Sequence, residues 1–175
     1  MPLLKKITTR YDQSEDRFRI TTLAEDESVR SLWITQRLLL RLIPTVLSWL
    51  DGIKTSNPQI DTQSQRFMND FARQEALADL KPETPVSEES LGNPSYSTPS
   101  NKTLVHEITI SYSDDSISLA FKDKENLCSK LDLTKKTARQ WVLIIHSQWL
   151  LSGWTASVWP DWLNSPISKP KSEMH

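Results

Sequence analysis

The stretch SLWITQRLLLRLIPTVLSWL, residues Ser31–Leu50, contains the junction from which the fold can be predicted. Val29–Ile34 carries apolar residues on both faces of an extended segment, which favours a strand that is covered on both sides. Thr35 stands where a side-chain hydroxyl can accept from the free N–H groups of a helical first turn. The helix that follows is almost entirely aliphatic, and its narrow polar stripe includes Arg37 and Arg41. We therefore expect this helix to be covered on more than one side.

Two alternating segments precede this junction. Leu3–Tyr11 and Arg17–Leu23 each place apolar and polar side chains on opposite faces, which is the pattern of a half-buried strand. The polar sequence DQSED between them is typical of a hairpin turn. Residues 1–52 are thus predicted to form one βββα unit, whose helix ends at Gly52.

The same order of elements returns in residues 102–153. Three alternating segments lead to a threonine and a helix that ends at Gly153, and the sequences themselves match. ITTRY at Ile7–Tyr11 resembles ITISY at Ile108–Tyr112, and LWIT at Leu32–Thr35 resembles LDLT at Leu131–Thr134. SWL at Ser48–Leu50 also resembles QWL at Gln148–Leu150. Alternation alone makes any two such units look alike, so the matched Tyr, Thr and Trp positions carry the comparison. We predict an α+β fold of two βββα repeats, each an antiparallel meander plus one long helix, packed with pseudo-twofold symmetry.

The segments outside the two units have different compositions. Residues 53–80 form a linker in which Asp61–Leu80 has the weak periodicity of an amphipathic helix. Residues 81–101 are rich in Pro and Ser with little to bury, which is typical of a disordered linker. Residues 154–175 comprise a Trp-rich segment followed by a polar tail that is expected to be flexible.

Composition narrows the classes of function. The chain has 175 residues and a formal net charge of −1, and this balance argues against a binder driven mainly by phosphate contacts. A single cysteine, Cys128, excludes an intrachain disulfide and suits a reducing compartment. The sequence shows no secretory signal pattern and no apolar run long enough to span a bilayer, so we expect a cytoplasmic protein. With three glycines and no Gly-rich phosphate motif, no nucleotide cofactor is predicted.

Histidine, cysteine and acidic residues are present, but their spacing does not match a known kind of metal site or catalytic site. His106, His146 and His175 lack metal-ligand spacing, and Cys128 has no cysteine partner, so no metal site is predicted. The acidic residues of the hairpin turns are explained as solvated turn residues. We assign no catalytic residue and predict a protein without enzymatic activity.

The apolar excess of the two helices leads to the main functional hypothesis. The main apolar face of the second helix is predicted to consist of Ala138, Trp141, Val142, Ile145 and Trp149. Leu143, Ile144 and Leu150 widen this face beyond what one small sheet can cover. The Trp-rich segment either folds back onto the core or docks on a partner. We therefore predict a protein–protein interaction, adaptor or assembly protein that binds a partner or forms a homodimer. The candidate partner-binding residues are Leu39, Leu42, Val46, Trp154, Trp159 and Trp162.

The alternative hypothesis is a single-stranded nucleic-acid-binding protein. Arg10, Arg17 and Arg19 would share the outer face of the first hairpin, with aromatic residues nearby. Repeated units of several strands plus one helix are similar in plan to the Whirly and PUR-repeat folds, which implies single-strand binding. Units of those folds have four strands and this chain shows three, so the resemblance lies in plan and not in any motif. A solvated sheet face also explains these arginines.

Overall fold

The computed structural model describes residues 4–24, 29–52, 74–75, 78, 102–126 and 128–164. In chain order the elements are β1 (Leu4–Asp12), β2 (Arg17–Ala24), β3 (Val29–Ile34), α1 (Gln36–Leu50), β4 (Lys102–Leu104), β5 (Glu107–Tyr112), β6 (Ser116–Lys122), β7 (Cys128–Thr134), α2 (Lys135–Ser152), a 3-10 turn (Ala156–Val158) and α3 (Asp161–Asn164). These residues form an α+β fold with a four-stranded sheet, a three-stranded sheet and two long helices. Three residues of the predicted helix Asp61–Leu80 are described, and they are helical. The rest of that helix, the linker 81–101 and the tail after residue 164 lie outside the described residues.

The first sheet has the strand order β1-β2-β3-β4. Its first three strands form the predicted antiparallel meander. The fourth strand is a difference from the sequence prediction, which placed residues 102–104 in the second unit. Lys102 and Leu104 instead lie beside Ser31 and Trp33, so that β4 runs parallel to β3.

The second sheet has the order β5-β6-β7 and is antiparallel throughout. Two residues join it to the first sheet. The N–H of Val105 donates to the Trp33 carbonyl at 2.9 Å, and the N–H of His106 donates to the Lys122 carbonyl at 2.8 Å. The chain therefore leaves one sheet and enters the other within a single dipeptide.

The two helices begin in different ways. The Thr134 hydroxyl accepts from the N–H of Thr137 at 3.3 Å, as predicted for an N-cap. Thr35 occupies the equivalent position, but its side chain makes no capping hydrogen bond, so this part of the prediction is wrong. Its carbonyl accepts the first helical bonds of α1 instead. At the other ends, Gly52 and Gly153 have φ values of 65° and 69°, which a residue with a Cβ rarely adopts.

Each helix contacts the sheet of the other half. The indole N–H of Trp141 on α2 donates to the buried Thr9 hydroxyl on β1 at 3.0 Å. The Gln148 side chain accepts from the N–H of Tyr11 at 3.1 Å. In the opposite direction, the indole N–H of Trp49 on α1 donates to the Ser113 carbonyl, just after β5, at 2.8 Å. β1 also lies beside β7, and the two helices contact each other.

This crosswise arrangement produces one hydrophobic core. Both sheets contribute to it, with Phe18 and Ile20 on β2 and with Leu119 and Phe121 on β6. The buried face of α2 is the one predicted from its periodicity, namely Ala138, Trp141, Val142, Ile145 and Trp149. None of the helices in the described part of the chain combines the length and the apolar character needed to cross a membrane.

Candidate functional site

The three predicted partner-binding residues of α1 lie in the core. Leu39, Leu42 and Val46 are each at most 2% exposed. They belong to the hydrophobic core that α1 and α2 share. Their role in partner binding stays a prediction. Because these side chains are buried, a partner that docks on the folded chain would contact other residues.

The Trp-rich segment folds back onto the chain. Trp159 is buried, and its ring lies 5.7 Å from the ring of Trp149 and 4.9 Å from that of His146. Trp154 is half-buried, with its ring 5.4 Å from Phe18. The side chain of Trp162 is outside the description. The segment thus completes the core, and its binding of a partner stays a prediction.

One carboxylate fixes this segment to the first hairpin. The Asp16 Oδ1 atom accepts from the Tyr11 hydroxyl at 2.6 Å and from the Trp154 indole N–H at 2.8 Å. The Tyr11 hydrogen bond, followed by that of Trp154, holds the pKa of Asp16 below its usual 3.8. The same hydrogen bond raises the pKa of Tyr11 above 10.0. Asp16 is exposed, whereas Tyr11 and Trp154 are half-buried. The three linked groups form a structural clasp, which we call the Asp16 clasp.

Two of the three arginines of the predicted nucleic-acid-binding face make contacts within the chain. Arg10 is exposed and lies directly opposite Arg19, which in turn lies opposite Trp33. The Arg19 guanidinium is 5.8 Å from the centre of the Trp33 ring. Because Trp33 is 9% exposed, its ring offers little surface for a base to stack on. Arg17 lies 3.9 Å from the Glu15 carboxylate.

Among the large apolar residues that the structure describes, the most exposed lie at the end of α2. Leu150 is 60% exposed and Leu151 is 72% exposed. With Ile144 and Ser147 one to two turns earlier on the same side of the helix, we call this surface the α2 patch. Periodicity in the sequence indicates the excess width of this helix face, but it does not point to Leu151, because it does not say which apolar residues stay uncovered.

A groove of about 510 Å³ lies between α1 and the β5–β6 turn. Its lining comes from the C-terminal half of α1, the end of β5 and the start of α2: Pro44, Thr45, Ser48, Trp49, Gly52, Tyr112, Ser113, Asp114 and Lys135. Tyr112 is 49% exposed there. The groove therefore combines aromatic and apolar walls with hydroxyl groups and one charge of each sign. No sequence motif marked it.

Metal-ligating groups do not converge in the described residues. No cluster of three or more His, Cys, Asp or Glu side chains that could hold a metal ion occurs within that part of the chain. Comparison with protein-family models, with curated proteins and with solved structures found no match. The functional conclusion therefore depends on the surfaces described above.

Proposed function

We propose that the protein is a non-enzymatic interaction or assembly protein that binds a protein partner through its helical side. The observation that carries this proposal is the exposure of Leu150 and Leu151, at 60% and 72%. Two adjacent leucines in contact with water leave apolar surface that association can bury. Their position at the end of a helix anchored in the core makes the α2 patch a preformed surface.

The charge of the helices favours a particular kind of partner. Neither α1 nor α2 contains an Asp or Glu residue. Together they carry the cations Arg37, Arg41, Lys135, Lys136 and Arg139. A partner surface that combines apolar and acidic side chains would complement helices of this composition.

We also propose an architecture for the chain, in which the two halves are copies of one βββα unit related by a pseudo-twofold axis. It is supported by the matched Tyr11 and Tyr112, by the matched Trp49 and Trp149, and by the crosswise contacts of both helices. A duplicated unit of this kind provides two similar surfaces that can diverge in what they bind.

The test of partner binding is a comparison of affinity captures. Wild-type protein and Leu150→Ser/Leu151→Ser would each be used to capture partners from native extract, followed by purification of the retained protein. We expect the double variant to bind that protein at least tenfold more weakly, because each leucine that is buried contributes about 1–2 kcal/mol. Isothermal titration calorimetry measures the difference.

The matched control is Gln13→Ser, a change at an exposed residue of the first hairpin turn. It should retain wild-type affinity. Equal affinity of the double variant and wild type would show that the α2 patch is not the binding surface.

The second candidate function is binding of single-stranded nucleic acid. The observation in its favour is that Arg10 and Arg19 lie directly opposite each other on neighbouring strands, which brings two cations together on one surface. We propose that the phosphate backbone of a single strand contacts both cations.

Binding to labelled oligonucleotides tests this candidate. Arg10→Glu/Arg19→Glu should abolish binding, and wild-type affinity should fall steeply with salt because phosphate contacts release counterions. Arg37→Glu, on α1, is the matched control for a charge reversal elsewhere. Binding that survives the double reversal, or that lacks salt dependence, contradicts this function.

A further inference from the structure

The strand β5 forms one edge of the second sheet. The other edge strand, β7, lies beside β1 of the first sheet, whereas β5 pairs with β6 on one side. The register of β5 with β6 is regular from Glu107 to Tyr112. Its sequence, EITISY, contains no proline and a single charge, at its first residue. A regular strand of this kind at a sheet edge is a template on which another strand can pair.

The edges of the first sheet differ from β5. β4 is three residues long. β1 has a register shift near its start, and α2 lies against it, where the Gln148 side chain accepts from the N–H of Tyr11. Short strands, irregular register and a covering element each hinder edge pairing. Among the described elements α1 contacts β5, through a region that includes the hydrogen bond from Trp49 to the Ser113 carbonyl just after the strand ends.

The hydrogen-bonding pattern shows which main-chain groups of β5 face outward. The N–H of Ser113 donates to the Ser116 carbonyl at 2.8 Å, so these two residues are a bonded pair of the ladder. Because bonded and non-bonded pairs alternate in an antiparallel ladder, the main chains of Ile108 and Ile110 point away from β6. Within the described part of the chain, no hydrogen bond to another element satisfies these outward N–H and C=O groups.

We infer that this edge pairs with β5 of a second copy of the chain. In an antiparallel pair centred on Thr109, Ile108 of each copy lies opposite Ile110 of the other, and their outward N–H and C=O groups bond to each other. The two three-stranded sheets then join across a twofold axis. Centring the pair on Thr109 keeps Tyr112 outside the paired segment, since that end of β5 lies near α1.

The side chains of β5 are self-complementary in this register. On the outer face, Thr109 meets its own counterpart and Glu107 meets Ser111, and all three are exposed in the single chain. On the other face, the half-buried Ile108 and Ile110 of the two copies meet. Threonine pairs and β-branched pairs are favourable cross-strand neighbours, and no like charges come opposite each other. The edge therefore complements itself, which favours a second copy as the occupant.

Long-range electrostatics do not oppose this pairing. The formal net charge of the chain is −1, so two copies repel each other little. β5 and the α2 patch are on different elements, so this inference goes beyond the proposed function and is tested separately.

Cysteine cross-linking of the full-length chain tests the inference. In a Cys128→Ser background, Thr109→Cys would place two thiols opposite each other in a non-hydrogen-bonded pair, whose close Cα spacing a disulfide can bridge. Mild oxidation should then give a covalent dimer on a non-reducing gel.

The matched control for cross-linking is Ser111→Cys in the same background. Ser111 is exposed on the same face of β5, but its counterpart would lie about 13 Å further along the strand pair. It should cross-link at least about tenfold more slowly, because that separation exceeds the reach of a disulfide. Thermal unfolding of each variant confirms that it is folded.

Sedimentation equilibrium provides a second measurement. Because small interfaces bind weakly, the wild-type chain should dimerise with a dissociation constant of about 0.1 mM. Thr109→Glu should weaken dimerisation at least about tenfold, because it places two carboxylates opposite each other. An equimolar mixture with Thr109→Lys should restore association. Gln13→Glu, which adds the same charge at an exposed turn residue, should leave the dissociation constant unchanged.

Three outcomes would overturn the inference. The first is a wild-type chain that stays monomeric up to about 1 mM, which would leave the edge to a strand of another protein. The second is equal cross-linking of Thr109→Cys and Ser111→Cys, which would indicate random collisions. The third is a dimer that Thr109→Glu leaves intact and Leu150→Ser/Leu151→Ser abolishes, because the copies would then meet at the α2 patch.

Discussion

At the scale of single residues, Asp16 joins parts of the chain that are distant in sequence. Its φ of 49° lies in the left-handed region, where Asp is tolerated better than most residues. One carboxylate oxygen then receives the Tyr11 hydroxyl and the Trp154 indole N–H. Because both donors stabilise the charged form, the pKa of Asp16 is lower in the folded chain than in the unfolded chain.

The first prediction follows from that difference. A carboxyl group with a lowered folded-state pKa stabilises the fold above its unfolded pKa, and this contribution is lost as the pH falls through the folded value. Asp16→Asn should therefore unfold at lower urea concentration than wild type at pH 7, and the difference in urea midpoint should shrink at acidic pH, below 3.8, where Asp16 becomes protonated. The same substitution should lower the pKa of Tyr11 toward 10.0, which absorbance titration of the phenol measures.

The turn of the second half provides the control for this prediction. Asp114→Asn removes a turn carboxylate that accepts no side-chain hydrogen bond from the described residues. Its effect on the urea midpoint should be small at both pH values. A difference in urea midpoint between wild type and Asp16→Asn that stays constant with pH would contradict the proposed role of the Asp16 clasp.

Sequence reasoning identified these turn carboxylates as exposed but gave them no structural role. Asp16 and Trp154 are 138 positions apart, and nothing local in the sequence connects them. A hydrogen bond of this kind is decided by tertiary packing, which brings the segment after α2 to the first hairpin.

At the scale of secondary-structure elements, the two helix starts form a matched pair. Thr134→Ala should destabilise the protein by about 1 kcal/mol, because it removes the hydrogen bond from the Thr137 N–H. Thr35→Ala should cost much less, since the Thr35 side chain makes no capping bond. Chemical denaturation of both variants measures the difference, and equal losses would be inconsistent with the geometry described.

Strands and helices were the most predictable part of this chain. Alternation in Arg17–Leu23 predicted the bounds of β2 within one residue, and the doubly apolar segment Val29–Ile34 predicted those of β3. Helical periodicity predicted the buried face of α2. β4 was missed because three residues, Lys102–Leu104, are too short to show a period. Their pairing depends on where β3 lies in the folded molecule.

At the scale of the whole molecule, the crosswise packing predicts cooperative unfolding. The core contains residues from both sheets and both helices, and α2 contacts β1 through Trp141 and Gln148. Neither half can therefore keep its buried surface when the other half unfolds. Urea unfolding followed by tryptophan fluorescence and by far-ultraviolet circular dichroism should give coincident, single transitions.

Fragments extend this prediction. Residues 1–52 alone should lack a cooperative transition, because α1 would lose its contacts with the second sheet and with α2. Two separated transitions in the intact chain, or an independently folded fragment, would show that the halves are separate domains.

The groove shows why sites are harder to predict than elements. Its walls come from α1, from the end of β5 and from Lys135, which are far apart in sequence and share no motif. The matched Tyr11 and Tyr112 were visible in the sequence as a sign of repetition. The structure places the two rings in different surroundings, since Tyr112 lies on the groove wall and Tyr11 lies against Trp154.

The dipeptide Val105–His106 has a mechanical consequence. The three Cα–Cα steps from Leu104 to Glu107 span at most about 11 Å, so the end of β4 and the start of β5 cannot separate or swing widely. The N–H of Val105 is held by Trp33, and that of His106 is held by Lys122, so both ends of this short tether are fixed. A force that pulls on one sheet is transmitted directly to the other, and the molecule should respond as one stiff body without a hinge between its halves.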